Sequence, residues 1–141
     1  MQKLELVLDI LKEMGYQTTV SDEGIVCFMY ELKTLLVLMD EPDNQYLSIH
    51  FPQFEDVKES DLIQTLTLCN KLTRELKIIK VFIDESFESV SASCEFYYAR
   101  KKDLKGCIER ALDIFSIIKT IFKMNKESLI KDLESSDENN D

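Results

Sequence analysis

Between Asp56 and Tyr98 the chain repeats its apolar residues first at helical spacing and then at strand spacing. This change of period limits the fold more than any other feature. Leu62, Leu66, Cys69, Thr73 and Leu76 advance by alternating steps of four and three, so a helix over 56–77 presents one face able to cover a sheet. Ile79, Val81 and Ile83 then alternate, as do Val90, Ala92, Cys94, Phe96 and Tyr98, which predicts paired strands at 78–84 and 89–98. Asp56 and Glu59 have capping-box spacing, with Ser60 as an alternative cap a few residues on.

Before this segment, Leu4, Val7, Leu8, Leu11 and Met14 line one side of a helix over 2–14, which Gly15 stops. A short strand is expected at 16–20, then a polar turn at 21–24. Ile25–Tyr30 and Leu35–Met39 are continuously apolar, so both faces of these strands are expected to be covered. Glu31-Leu32-Lys33 is the turn between them. After a loop at 40–44, Gln45–Phe51 alternates as a strand with one solvated face, and Pro52 ends it.

A final helix begins after Asp103 and runs through Leu104, Ile108, Ala111, Leu112, Phe115, Ile118 and Phe122. Asn125 is a point where it can break before a last weak turn at Leu129, Ile130 and Leu133. Residues 134–141 carry no apolar side chain and are expected to be a disordered acidic tail on a single domain spanning 1–133. Helices bracketing an antiparallel sheet define an α+β fold, in the order α-β-β-β(β)-α-β-β-α.

Little chemistry is written into these residues. His50 is the only histidine and has no announced acid or nucleophile, so a structural role is favoured over catalysis. Cys27, Cys69, Cys94 and Cys107 are dispersed in apolar contexts and read as buried free thiols, with no metal or redox site. The three glycines build no phosphate loop. The loop at 40–44 lacks the glycine and closing glutamate of a calcium loop. No catalytic residue, cofactor or metal ligand is therefore expected.

A net charge of −10 disfavours nucleic acid, and no apolar run reaches the ~20 residues of a membrane span. The N-terminus lacks the features of a signal peptide, so the expected compartment is the cytoplasm. Arg100, Lys101, Lys102, Lys105 and Arg110 form a basic cluster. It reads either as an anion site or, preferably, as a solvated face that offsets the acidic remainder.

The element order resembles the YbjN-like family, whose fold is that of type III secretion chaperones. The residues carrying the resemblance are Cys69-Asn70-Lys71-Leu72 at the end of the middle helix and the strand Lys80-Val81-Phe82-Ile83-Asp84. Phe96-Tyr97-Tyr98 and the helix at 103–124 complete it. Asn70 matches an asparagine of the family. The family's glycine turn is replaced here by Glu85-Ser86-Phe87-Glu88-Ser89, and its tryptophan is missing. The resemblance implies a non-enzymatic, often dimeric protein that holds another polypeptide or acts in sensing or regulation.

Function is thus expected to be that of a protein-binding module, chaperone-like or regulatory. The alternatives are a small enzyme using surface carboxylates with Tyr97 or Tyr98, and a structural subunit of an assembly. The candidate interface lies on the last helix, where apolar residues sweep roughly 220° while a helix on one sheet needs ~100°. Leu104, Ile108, Ala111, Phe115 and Phe122 fill the core side. Ile114, Ile117 and Ile121 lie on the flank, with Ile118 between the two sets. Three occupants of that flank stay open: residues 25–31 or the N-terminal helix, a second copy, or a foreign polypeptide.

Overall fold

In a computed structural model, which describes residues 2–39 and 42–139, the alternation of the strands resolves into two faces of one antiparallel sheet. The elements are α1 (Lys3–Glu13), β1 (Thr18–Val20), β2 (Val26–Tyr30), β3 (Lys33–Leu38), β4 (Tyr46–Asp56), α2 (Leu62–Glu75), β5 (Ile79–Ile83), β6 (Ser89–Tyr97) and α3 (Leu104–Asn139). Short 3-10 turns at Glu59–Asp61 and Lys101–Asp103 lead into α2 and α3. The six strands lie in the order β1-β2-β3-β4-β6-β5. α2 carries the chain from β4 to the far edge, and β6 returns between them.

Register shows how the two faces differ. Val26, Val37, Ile49, Cys94 and Ile79 form one row across five strands, and every one is buried. Phe28, Leu35, Phe51, Ala92 and Val81 repeat this burial one step along. The buried residues of all three helices join the same cluster. The neighbouring row, Cys27, Leu36, His50, Ser93 and Lys80, points the other way; Ser93 is buried, Lys80 is exposed and the other three are only partly covered. The expectation that both faces of β2 and β3 are covered is therefore corrected. Apolar residues on the open face, such as Leu36 and Leu38, are half-buried by their neighbours, and Met29 is exposed.

Pro52 does not end β4. The strand continues to Asp56 through a bulge between Phe51 and Glu55, with Gln53 at φ 52° and its N–H donating to Ser91 Oγ at 2.9 Å. A proline has no N–H to give, and here it sits where the ladder is already interrupted. Phe54, beyond the bulge, returns to the core and meets Phe122 edge-on at 5.6 Å. The β2–β3 turn is a tight pair, Glu31 and Leu32, both at positive φ (48° and 66°), and Lys33 already belongs to β3.

The helices shift in phase and length. α1 ends as expected, with Gly15 at φ 92°. At the start of α2 the reaching carboxylate is Asp61, which accepts the Lys58 N–H at 2.9 Å, in place of the Asp56–Glu59 box. α2 buries Thr65, Leu68, Cys69 and Leu72, leaving Leu66 and Thr73 outside. The apolar residues of this segment fit two helical phases, and docking against the edge strand β5 selects the second.

α3 does not break at Asn125. Its Nδ2 donates back to Ile121 O at 2.8 Å, and its Oδ1 accepts from Lys71 Nζ on α2 at 3.0 Å. The helix continues past 133 into the segment expected to be structureless, as far as Asn139. Glu134, Ser135 and Ser136 are exposed there, and neither glycine nor proline interrupts the helix.

Candidate protein interface

The residues singled out on the last helix separate into core and surface. Ile118 is fully buried and belongs with Phe115 and Phe122, so its assignment to an interface is corrected. At 100° per residue it falls on the side of α3 that lies against the sheet. Ile114 and Ile121 are half-buried against the core, and Ile117 is 46% exposed. Their flank is partly covered by α2 and the segment after it. Of residues 25–31, Glu31 reaches the other flank, where Ser116 Oγ donates to its Oε2 at 3.4 Å.

Between α3 and the α2–β5 connection lies an open groove of about 390 Å³. Leu76, Ile78, Ile114 and Ile117 form its apolar floor, and Glu75, Lys77, Arg110 and Asp113 supply its charged rim. The connection has no glycine. The chain leaves α2 at Leu76 in an extended conformation, and Ile78 turns it into β5 at φ 72°. A β-branched side chain is strained in that region, at a cost of about 1–3 kcal/mol. In that conformation Ile78 is 46% exposed and lines the same groove as Ile117. Sequence periodicity did not reveal Ile78. The one signal was a helix-to-strand junction lacking a glycine.

The other candidate groups are not brought together. His50 Nε2 lies 3.0 Å from Ser48 Oγ, but Ser48 is 2% exposed. Glu95, the acid whose charge acts on His50, is engaged by Lys80 at 2.6 Å. Burial holds the His50 pKa below its ordinary value, against the upward pull of Glu95. Tyr97 and Tyr98 point in opposite directions: Tyr97 is exposed beside Tyr46, and Tyr98 is buried. Burial raises the Tyr98 pKa, followed by the charge of Asp43.

All four cysteines are free thiols. Burial pushes Cys94 up to about 12 and Cys69 up to about 11, and neither forms a thiolate near neutrality. Cys27 and Cys107 are only half-buried.

Asp22–Glu23 lies in an exposed turn, and Asp84 accepts from Ser86 Oγ at 2.6 Å in the β5–β6 turn. Asp40 and Glu41 lie outside the described residues; in the rest of that loop, Asp43 accepts the Gln45 N–H on Oδ1 at 3.0 Å and Lys3 Nζ on its carbonyl at 2.6 Å. In the basic cluster, Arg100 pairs with Asp103 at 3.2 Å, and Lys102, Lys105 and Arg110 are exposed. Among the described residues no three His, Cys, Asp or Glu are placed to hold a metal, and no helix is long and apolar enough to cross a membrane.

No family model and no curated protein matches the sequence. Solved structures match the fold. One is "YbjN, a putative transcription regulator from E. coli", with a TM-score of 0.63 at 8% identity, covering 89% of this chain and 93% of that one. Another is an uncharacterized protein from Methanothermobacter thermautotrophicus, with a TM-score of 0.52 at 11% identity, covering 91% and 96%. The chain thus has a YbjN-like α+β fold: a six-stranded antiparallel sheet with three helices.

Proposed function

We propose that this protein is a non-enzymatic binding module, regulatory or chaperone-like, which holds a polypeptide in the groove between α3 and the α2–β5 connection. The observation that carries the reading is the pairing of Ile78 and Ile117. Two large apolar side chains stand half-exposed in the lining of one groove, one of them at a strained backbone position. The mixed rim of Glu75, Lys77, Arg110 and Asp113 suits a polar margin around an apolar contact. The fold likeness to a protein described as a regulator supports a regulatory role. A net charge of −10 favours protein contacts over direct binding to nucleic acid. Four free thiols suit a reducing compartment such as the cytoplasm.

The test is affinity capture from the native cell with the full chain and with an Ile78→Asp, Ile117→Asp variant. A polypeptide held stoichiometrically by the first and lost by the second, with both folded by circular dichroism, is the expected result. Equal capture by both overturns the assignment of the groove. A small molecule copurifying in place of a polypeptide overturns the class.

A further inference from the structure

α3 is 36 residues long, and its outward face carries charge of both signs at both ends, Glu109 and Asp113 standing among the bases of the first half and Lys131 among the acids of the second. Lys105 stands in the first turn, where the helix dipole favours acids, and Arg110 follows. Asp132 and Glu134 stand towards the other end, where it favours bases. All four are exposed, and none makes an ion pair among the described residues. Such a helix gains nothing from this order alone, but an antiparallel copy of itself complements it at both ends.

We propose that α3 packs antiparallel against the α3 of a second copy of this chain, crossing near Thr120. The proposal rests on the protein-binding reading above and names its partner. In that crossing, levels along the two helices add to a nearly constant number, which sets Lys105 against Glu134 of the second copy, Arg110 against Asp132, and Glu109 against Lys131. Ile117 meets Met124, and each contact occurs twice by symmetry.

Lys105, Glu109, Lys131 and Glu134 lie on one margin of the outward face, and Arg110 and Asp132 on the other, as an antiparallel pair requires. The apolar centre is supplied by Ile117 and Met124, both exposed. Asp113 is level with Glu127 and Arg110 with Lys131, two like-charge contacts against the three opposite-charge ones. The groove beside Ile117 opens along the same face.

Within one chain Lys105 and Glu134 are roughly 44 Å apart along the helix, so a zero-length carbodiimide cross-link between them forms only between copies. The experiment mixes isotopically light and heavy full-length chain, cross-links it and maps the products, alongside sedimentation equilibrium. Expected are a dimer mass and Lys105–Glu134 links joining light to heavy chains. Lys105→Glu with Arg110→Glu, and separately Asp132→Lys with Glu134→Lys, each weaken self-association by about tenfold or more. An equimolar mixture of the two variants restores it.

A monomer at every concentration overturns the proposal. So does a dimer indifferent to both reversals, or one whose mixture fails to recover. If the chain is monomeric yet captures a partner in an Ile117-dependent way, the pairing fails and the binding module stands. If it neither self-associates nor captures a polypeptide, both fail.

Discussion

The hydroxyl of Thr73 on α2 both accepts the N–H of Val81 at 2.9 Å and donates to the Val81 carbonyl at 3.1 Å. Val81 lies in the middle of β5, the last strand of the sheet, so one side chain meets both polar groups that this residue presents to the free edge. The Thr73→Val variant loses about 1 kcal/mol, read as a fall of a few degrees in the thermal midpoint, and Thr73→Ser recovers most of it. A Thr73→Val variant as stable as the parent would show that water serves this edge equally well.

Leu32 and Ile78 both stand at positive φ, 66° and 72°, where glycine is at ease and a branched side chain is not. Leu32 is 96% exposed, so its side chain contributes nothing to packing. Leu32→Gly is expected to stabilise the chain by roughly 0.5–1 kcal/mol in urea unfolding, because two-residue hairpin turns favour glycine. Ile78→Gly relieves a similar strain but removes half of an apolar pair. It should leave stability unchanged or higher while weakening capture by the groove. A loss of several kcal/mol would show that Ile78 is a core residue.

The alternation of β5 and β6 was legible because it satisfies one period without competition; in α1 Val7 and Leu11 were read correctly, while buried Ile10 was missed and Leu4, Leu8 and Met14 are only half-buried. α2 was not legible, because Leu66 and Leu68 each belong to a plausible apolar stripe and only the edge of β5 decides between them. Pro52 misled because a bulge is a tertiary accommodation, in which Ser91 from a distant strand receives the Gln53 N–H. The α3 flank was legible as over-apolar, but its division into core Ile118 and exposed Ile117 depended on where α2 lies. Ile78 was not legible, since nothing in a sequence shows a backbone angle.

Stability should fall in alkali. Burial raises Cys94 from its ordinary 9.0 to about 12 and Cys69 to about 11. Unfolding lets both thiols ionise at the ordinary value, so the unfolded chain binds fewer protons above it. The neutral-thiol contribution is therefore complete below pH 9.0 and is lost as pH rises through the folded values, from 9.0 towards about 12. His50 acts in the opposite direction: its lowered pKa makes stability decline as pH falls below the ordinary 6.5. Thermal midpoints across pH should fall at both ends. A Cys94→Ala variant should show a shallower alkaline fall, and an unchanged slope would mean that other groups carry it.

Ile117 and Ile118 are neighbours in sequence with opposite fates, one 46% exposed and the other fully buried among Phe115 and Phe122. Ile118→Ala removes buried methylenes from a packed site and should cost about 2–5 kcal/mol. Ile117→Ala at the dilution where the chain is monomeric should cost under about 1 kcal/mol, as surface changes do. Denaturant unfolding at low concentration separates the two. At higher concentration the Ile117 variant should lose additional stability relative to the parent, because association stabilises only a chain that can pair. An Ile117→Ala cost as large as that of Ile118→Ala at low concentration would place both residues in the core and remove the exposed centre of the α3 face.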